Sequence, residues 1–171
     1  MPYLLDANVF IQAKNLHYGL DFCPAFWEWL EQANRAGIAF SIEKVGDELA
    51  SVADELSAWA ASRGAAFFVK PDAAIVPALA HVSQWATQQS YEPAAVNTFL
   101  QVADYYLVAH ALAHGFTLVT HEVPSSSTKK VKIPNACIGV GVKCMSPYEM
   151  LRVERARFVL PGAASSSTDT L

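Results

Sequence analysis

Charged side chains and long apolar runs are both scarce in this 171-residue chain. Charged residues make up 16% and apolar residues 53% of it, a balance that excludes a disordered protein. The most apolar long stretch, residues 94–119, carries Asp104, His110 and His114 in its middle, which argues against a membrane span. The opening Met-Pro-Tyr-Leu-Leu has no basic lead and no long apolar region, so we expect no signal peptide.

Cysteine is also rare, with Cys23, Cys137 and Cys144 as its three occurrences. They form no Cys-x-x-Cys pair and their number is odd, which argues against both a zinc site and a disulfide framework. Reduced thiols packed in the core of a cytosolic protein are the favoured interpretation. The sequence therefore predicts a cytoplasmic location.

Basic side chains are few in the first two thirds of the chain. Residues 1–122 carry 5 basic and 13 acidic side chains, whereas residues 123–171 carry 7 basic and 3 acidic ones. The basic residues of the second part are Lys129, Lys130, Lys132, Lys143, Arg152, Arg155 and Arg157. An acidic body with a basic end suits a protein that binds metal in one place and phosphates beside it, although a solvated surface explains the same count.

Short apolar segments alternate with helical patterns along the chain. Strands are predicted at 3–6, 38–42, 66–69, 116–120 and 137–140, and helices at 8–15, 24–36, 44–62 with one break, 73–89, 94–114 and 146–155. This alternation is typical of βαβ units, so we expect an α/β protein with three layers around a central, mostly parallel sheet of four to five strands.

The sequence pattern predicts one domain at 1–158 and a flexible low-complexity tail at 159–171. Residues 121–135, which include Ser125-Ser126-Ser127, are predicted to form a long mobile loop. Asn8 is expected to cap the first helix.

Aromatic residues 22–29 follow one helical pattern. Phe22, Phe26 and Trp29 share a face with Leu30 and are expected in the core, while Trp27 points elsewhere and is a candidate for an interface with a partner.

Acidic residues stand where strands and apolar helix faces would place a ligand site. Asp6 ends the first strand, and Glu122 follows the fourth strand, which ends on Thr120. Ligands of open α/β sheets bind outside the carboxyl ends of the strands. Helix periodicity puts Glu48 at the edge of the apolar stripe of its helix, and Asp104 within an apolar stripe with no Lys or Arg one turn away. A buried charge of this kind must be paired or bound to metal.

Four carboxylates converging on one cleft would require protons or cations. Two carboxylates about 4 Å apart repel by roughly 4 kcal/mol at an effective dielectric near 20. All-oxygen ligation selects hard ions, so Asp6, Glu48, Asp104 and Glu122 predict a site for Mg²⁺ or Mn²⁺. His110 and His114 lie four apart, as Zn²⁺ ligands can, but they lack the expected third ligand. We therefore expect both on the helix surface.

These four acids, in this order, resemble the motifs of the PIN-domain family over residues 3 to about 150. Leu-Leu-Asp-Ala-Asn-Val-Phe at the start is similar to the first motif, and Ser41-Ile42 followed by Asp47-Glu48-Leu49 to the second. Ala103-Asp104 with its apolar continuation is similar to the third, and Leu118-Val119-Thr120-His121-Glu122 to the fourth. The fourth motif more commonly has Asp at its end, a difference of one methylene that bears on the second metal's geometry more than on activity.

The resemblance implies an RNase H-like three-layer fold and metal-dependent hydrolysis of RNA that leaves 5′-phosphate and 3′-hydroxyl ends. Asp6, Glu48, Asp104 and Glu122 would be the catalytic residues and the ligands of one or two Mg²⁺ or Mn²⁺ ions. Asn8 and Thr120 would orient ligands or water. Many members of the family are toxins of toxin–antitoxin pairs and often dimeric, so a protein antitoxin and a second copy of the chain are candidate partners beside RNA.

Lys14, Lys129, Lys130 and Lys132 are candidates for phosphate contacts, although a solvated surface role is the favoured interpretation of each lysine taken alone. Two other functions remain open. One is a catalytically inactive PIN-like scaffold that binds RNA or protein. The other is a phosphatase like the haloacid dehalogenases with Asp6 as nucleophile, although Asn8 stands where its second acid would be.

Overall fold

A five-stranded sheet forms the centre of the protein in a computed structural model, which describes residues 1–162. The strands are Tyr3–Leu5 (β1), Ala39–Ile42 (β2), Phe68–Val69 (β3), Thr117–Val119 (β4) and Cys144–Met145 (β5). Their spatial order is β3-β2-β1-β4-β5, and every neighbouring pair is parallel. The predicted α/β class with a central parallel sheet is confirmed.

Helices cover both faces of this sheet. In residues 1–162 they are Ala7–Gln12 (α1), Pro24–Arg35 (α2), Glu43–Ala50 (α3), Glu55–Arg63 (α4), Ile75–Gln88 (α5), Pro93–Phe99 (α6), Ala103–His114 (α7), Ile133–Val140 (α8) and Pro147–Val153 (α9). On one side, Trp59 of α4 contacts Phe10 of α1 and Trp27 of α2. Helix α7 packs on β2 and β4 and also contacts α5 and α8. The result is a three-layer α/β/α arrangement.

The strands are short and mostly apolar because both of their faces are covered. Leu4, Leu5 and Leu118 are fully buried. In register, Tyr3 lies opposite Ala39 on one side and Thr117 on the other. A parallel register brings the carboxyl ends of β1 and β4 side by side, and this is the edge at which the predicted site residues follow.

The first helix begins one residue earlier than predicted and continues into a π-helical turn at Ala13–His17. Its N-cap is Asp6, whose carboxylate makes no capping hydrogen bond. The expected cap by Asn8 is therefore wrong. Asn8 lies inside the helix and directs its amide across the sheet edge to Thr120 and His121.

Two predicted elements differ from the observed ones. Residues 94–114 form two helices, since α6 ends at Phe99 and α7 begins at Ala103, with Val102 extended (φ −110°, ψ 167°) between them. The strand predicted at 137–140 is wrong: these residues belong to α8, which starts with Pro134 in its first turn and ends before Gly141 in the left-handed region. A short apolar run does not distinguish a buried helix from a strand.

Burial corrects three side-chain predictions. Trp27 is buried and its indole N–H donates to the Tyr18 carbonyl at 2.7 Å, so it belongs to the core and is not an interface residue. Phe22 is exposed instead. His110 is buried and contacts the rings of His114 and Phe116, against the expectation of a surface histidine.

The C-terminal part ends with helix α9 as predicted, begun by a capping box between Ser146 and Glu149. Residues 159–162 have no helix or strand and finish in a turn. The rest of the predicted tail, residues 163–171, lies outside the described residues.

Candidate active site

The strand order reverses at the junction of β1 and β4. From β1 the chain proceeds to β2 and β3 on one side, and then returns to β4 and β5 on the other. Ligands of open α/β sheets bind at the carboxyl end of such a switch point. Asp6 directly follows β1 here, and its backbone N–H donates to the carbonyl of Val119 at the end of β4 (2.9 Å). Thr120 therefore stands beside Asp6.

The Thr120 hydroxyl joins the groups at this junction. It donates to Asp6 Oδ2 at 2.9 Å and accepts from Asn8 Nδ2 at 3.1 Å and from the Glu122 backbone N–H at 3.1 Å. Asn8 Oδ1 in turn accepts the His121 backbone N–H at 3.1 Å. The two residues predicted to support the site thus fix one Asp6 oxygen and the backbone that carries Glu122.

Asp6 and Asp104 share one electrostatic environment. Asp6 is 5% exposed, and burial raises the pKa of its carboxyl from 3.8 to about 7, with further contributions from the negative charges of Asp104 and Glu122. Burial, followed by the charge of Glu122, also raises the pKa of Asp104 to about 6; Glu48 adds to this and Lys130 opposes it. Carboxylates in a common field disfavour each other's ionised form.

Glu122 is held by contacts that sequence reasoning missed. Its side chain is 13% exposed, and Oε1 lies 3.5 Å from Lys130 Nζ and 3.9 Å from Lys132 Nζ. Oε2 accepts the backbone N–H of Ile133, the first residue of α8, at 2.9 Å. A carboxylate at a helix start is stabilised by the unpaired N–H groups there. Glu122 therefore also has a structural role, which was hidden because α8 was not predicted.

Glu48 lies at the margin of the cluster. It is exposed on α3, and its negative charge contributes to the raised pKa of Asp104. The structure thus brings Asp6, Asp104 and Glu122 together and leaves Glu48 at the rim.

The predicted lysines divide into two groups. Lys130 and Lys132 contact Glu122, and Lys129 and Lys130 line a cavity of about 280 Å³ beside Asp104. Lys14 instead forms an ion pair of 2.8 Å with Asp54, the N-cap of α4. Three of the four lysines therefore lie next to the acids, where they could bind a phosphate. The ammonium of Lys14 is already neutralised by Asp54.

The donor set has the chemistry of a hard-cation site. Asp6 and Asp104 offer carboxylate oxygens, and no Lys, Arg or His of residues 1–162 forms an ion pair with either. Asp6, which is buried, and Asp104, which is half-buried, are therefore suited to Mg²⁺ or Mn²⁺. Within the same residues, however, no three His, Cys, Asp or Glu side chains are already arranged as metal ligands. Glu122 would have to exchange its present contacts to join a metal site.

Three rings beside the acids were not identified from the sequence. The imidazoles of His17 and His121 lie 5.5 Å apart, and each ring centroid is 5.6 Å from that of Tyr148. The Tyr148 hydroxyl is 2.9 Å from His17 Nε2. His121 stands between Thr120 and Glu122 in the chain, which is a local signal, but its contacts with two distant residues depend on the fold.

Comparisons with known proteins identify one relationship. No curated protein and no solved structure matches the chain. Over the part of the chain that the structure describes, no helix is both long and apolar enough to cross a membrane. The family model of DUF4411, described as a domain of unknown function, matches residues 3–158, and the chain belongs to this family.

Proposed function

We propose that this protein is a metal-dependent endoribonuclease that hydrolyses RNA phosphodiesters at the Asp6–Asp104–Glu122 cluster. The proposal rests on two neighbouring acids that form no ion pair within residues 1–162. The pKa of Asp6, at the switch point, is raised to about 7, and that of Asp104, beside it, to about 6. Strongly perturbed acids in a cleft are characteristic of functional sites. The resemblance to PIN-domain motifs supports RNA as the substrate, and it alone supports a role as the toxin of a toxin–antitoxin pair.

Mg²⁺ or Mn²⁺, held by Asp6, Asp104 and Glu122 with Glu48 at the rim, would act as a Lewis acid and activate a water for attack on phosphorus. Asp6 has one oxygen fixed by the Thr120 hydroxyl and the other available for a ligand. Because its pKa is about 7 in the metal-free protein, Asp6 must release a proton to bind a cation near neutral pH.

Lys129, Lys130 and Lys132 would bind the phosphate. Lys130 and Lys132 at present contact Glu122. An RNA phosphate competing for their ammonium groups would free the Glu122 carboxylate toward the metal. Substrate binding and completion of the metal site are thereby linked in this proposal.

Replacing Asp6 by Asn tests the function. Asp6→Asn keeps the side-chain size and leaves an oxygen to accept from Thr120, but it removes one negative ligand. We expect RNA cleavage with Mg²⁺ or Mn²⁺ to fall by orders of magnitude, while stability in EDTA is unchanged or rises because like-charge repulsion is relieved. The assay is cleavage of a labelled single-stranded RNA, with analysis of the product ends.

The matched control is Asp47→Asn, which removes an exposed acid of α3 that neighbours Glu48 in sequence but points about 100° away from it. Its cleavage rate should equal that of the unchanged protein. A destabilised but active Asp6→Asn protein would overturn the assignment. Binding of RNA without cleavage in either metal would instead favour the inactive scaffold.

A further inference from the structure

A positively charged groove lies at the end of helix α9. It has a volume of about 390 Å³, and the residues that matter for its chemistry are Tyr18, Tyr148, Arg152, Arg155, Arg157 and Phe158. We call this the arginine groove. None of the catalytic roles above uses it, although the basic C-terminal third of the chain supplies its charge.

Within residues 1–162, the three guanidinium groups of the arginine groove form no ion pair. Arg152, Arg155 and Arg157 are exposed. The two acids of this segment have hydrogen-bond partners of their own. Glu149 closes the capping box with Ser146, whose hydrogen bonds lower the pKa of Glu149 with a smaller contribution from the charge of Arg152. Glu154 accepts the Tyr3 hydroxyl at 2.7 Å. A surface with this charge attracts an anion.

Arg155 occupies a backbone conformation that favours glycine. Its φ is +54°, whereas the other residues with positive φ in the described part of the chain are glycines. It stands just after the C-cap Glu154 of α9, where Gly is the usual residue. An arginine at this position carries a backbone cost that its side chain must offset by some other contribution.

Aromatic rings connect the arginine groove to the acid cluster. Tyr148 lines the groove and also contacts His17 and His121, which lie beside each other. The His121 ring is half-buried beside the rings of His17 and Tyr148. Because His121 follows Thr120, the ring series ends at the proposed reaction site.

The topology places this series on the correct edge. Helix α9 follows β5, and the Thr120 N–H donates to the Met145 carbonyl at 3.1 Å, so Tyr148 begins α9 at the same carboxyl edge as Asp6. Lys130 and Lys132 contact Glu122, and Lys129 and Lys130 line the cavity beside Asp104. The rings adjoin the acids at His121, which lies between Thr120 and Glu122 in the chain. A polyanion bound over the acids would contact the lysines, and the rings link the same acids to the arginine groove.

We propose that the arginine groove binds single-stranded RNA and guides it to the acid cluster, with phosphates on Arg152, Arg155 and Arg157 and unpaired bases against Tyr148, His17 and His121. This inference rests on the proposed ribonuclease function for its choice of ligand. The exposed Tyr148 ring next to guanidinium groups, continued by the half-buried His17 and His121 rings, matches the stacking and charge pattern that single strands recognise. A duplex keeps its bases stacked inside and could use the charges only.

The test measures RNA binding without cleavage. A fluorescein-labelled single-stranded 15-nucleotide RNA is titrated in EDTA by fluorescence anisotropy at several salt concentrations. For the triple variant Arg152→Ala, Arg155→Gly, Arg157→Ala, the slope of log affinity against log salt should fall by about two, since each single-strand phosphate contact contributes about 0.7. The control with equal charge loss is Arg35→Ala, Lys70→Ala, Lys143→Ala, which should keep the slope.

Two single variants separate binding from folding. Arg155→Gly relieves the positive φ, so its melting temperature should be equal or higher while its RNA affinity falls. Tyr148→Leu should lower affinity by roughly tenfold or more through lost stacking, and Tyr148→Phe should retain most of it. Unchanged RNA affinity in both Arg155→Gly and Tyr148→Leu would overturn the proposal.

The remaining outcomes distinguish this inference from the proposed function. Arginine-dependent binding of RNA that is never cleaved supports the groove and rejects the nuclease. Cleavage and binding that are normal in the triple variant support the nuclease and reject the groove. Equal affinity for duplex RNA, or tighter arginine-dependent binding of a polyglutamate peptide, would also reject it.

Discussion

The carboxylate of Asp6 is the buried acid on which the proposed site depends most. It is 5% exposed and interacts with a hydroxyl donor but with no cation of residues 1–162. A buried acid without a counter-charge shifts its pKa rather than remaining ionised. The fold therefore binds a proton at Asp6 under conditions in which the unfolded chain has already lost it.

This proton predicts a pH dependence of stability. The pKa of Asp6 is about 7 in the fold and 3.8 in the reference state, so the folded protein binds more protons between these values. Its contribution to the free energy of unfolding is fully present below about pH 4 and is lost as the pH rises to about 7, by at most about 4 kcal/mol.

Urea unfolding in EDTA at pH 5 and pH 8 measures this contribution. Asp6→Asn should be less sensitive to pH than the unchanged protein, so the difference in stability between the two proteins should shift in favour of the variant at pH 8. An equal pH dependence in both would show that Asp6 is ionised throughout and would remove the main support for the site.

Sequence reasoning reached Asp6, Asp104 and Thr120 because their signals are local. Asp6 ends an apolar strand, Thr120 ends another, and Asp104 interrupts an apolar helix face. The contacts of Asn8 were out of reach, because its partner Thr120 is 112 residues away and a helix-start position favours the interpretation as a cap. The hydrogen bond of Glu122 to Ile133 depended on a helix that was not predicted.

Among the secondary-structure elements, α8 shows where periodicity fails. Its sequence Ile-Pro-Asn-Ala-Cys-Ile-Gly-Val contains β-branched residues, which favour a strand, and a glycine, which disfavours a helix. Packing decides otherwise, because Gly139 of α8 lies directly against the Trp85 indole of α5. A contact between helices remote in sequence cannot be read from either segment alone.

That contact predicts an unusual effect of alanine. In a helix interior Gly→Ala normally stabilises by roughly 0.5–1 kcal/mol. A Cβ at Gly139 would run into the Trp85 ring, so Gly139→Ala should destabilise by about 1–3 kcal/mol. Urea unfolding of the variant provides the measurement.

The control is the same substitution in a Trp85→Leu protein. With the indole removed, Gly139→Ala should be neutral or stabilising, and the two backgrounds together form a double-mutant cycle. If alanine destabilises equally in both, the cause lies in the backbone of α8 and not in this helix contact.

For the molecule as a whole, the alternation of strands and helices was sufficient to predict a covered parallel sheet, since each βαβ unit imposes a crossover. The boundaries of the strands were harder to predict from the sequence. Strands β3 and β5 have two residues each, too few for a period-two pattern, and their positions depend on pairing with β2 and β4.

Metal binding should be visible in the stability of the whole protein. A ligand that binds the fold alone raises the free energy of unfolding by about 2.7 kcal/mol at 100 times its dissociation constant. We expect Mn²⁺ at pH 7.5 to raise the melting temperature of the unchanged protein and of Asp47→Asn, but to have little effect on Asp6→Asn. An equal rise in all three would indicate cation binding elsewhere.

The sheet order also bears on when the cluster can exist during synthesis. Asp6 and the Thr120 hydroxyl that orients it are 114 residues apart, and β4 leaves the ribosome long after β1, β2 and β3. A nascent chain that ends before β4 contains Asp6 but neither Thr120 nor Glu122. Under the proposed function, the ribonuclease site would therefore be incomplete until β4 and the residues that follow it have left the ribosome.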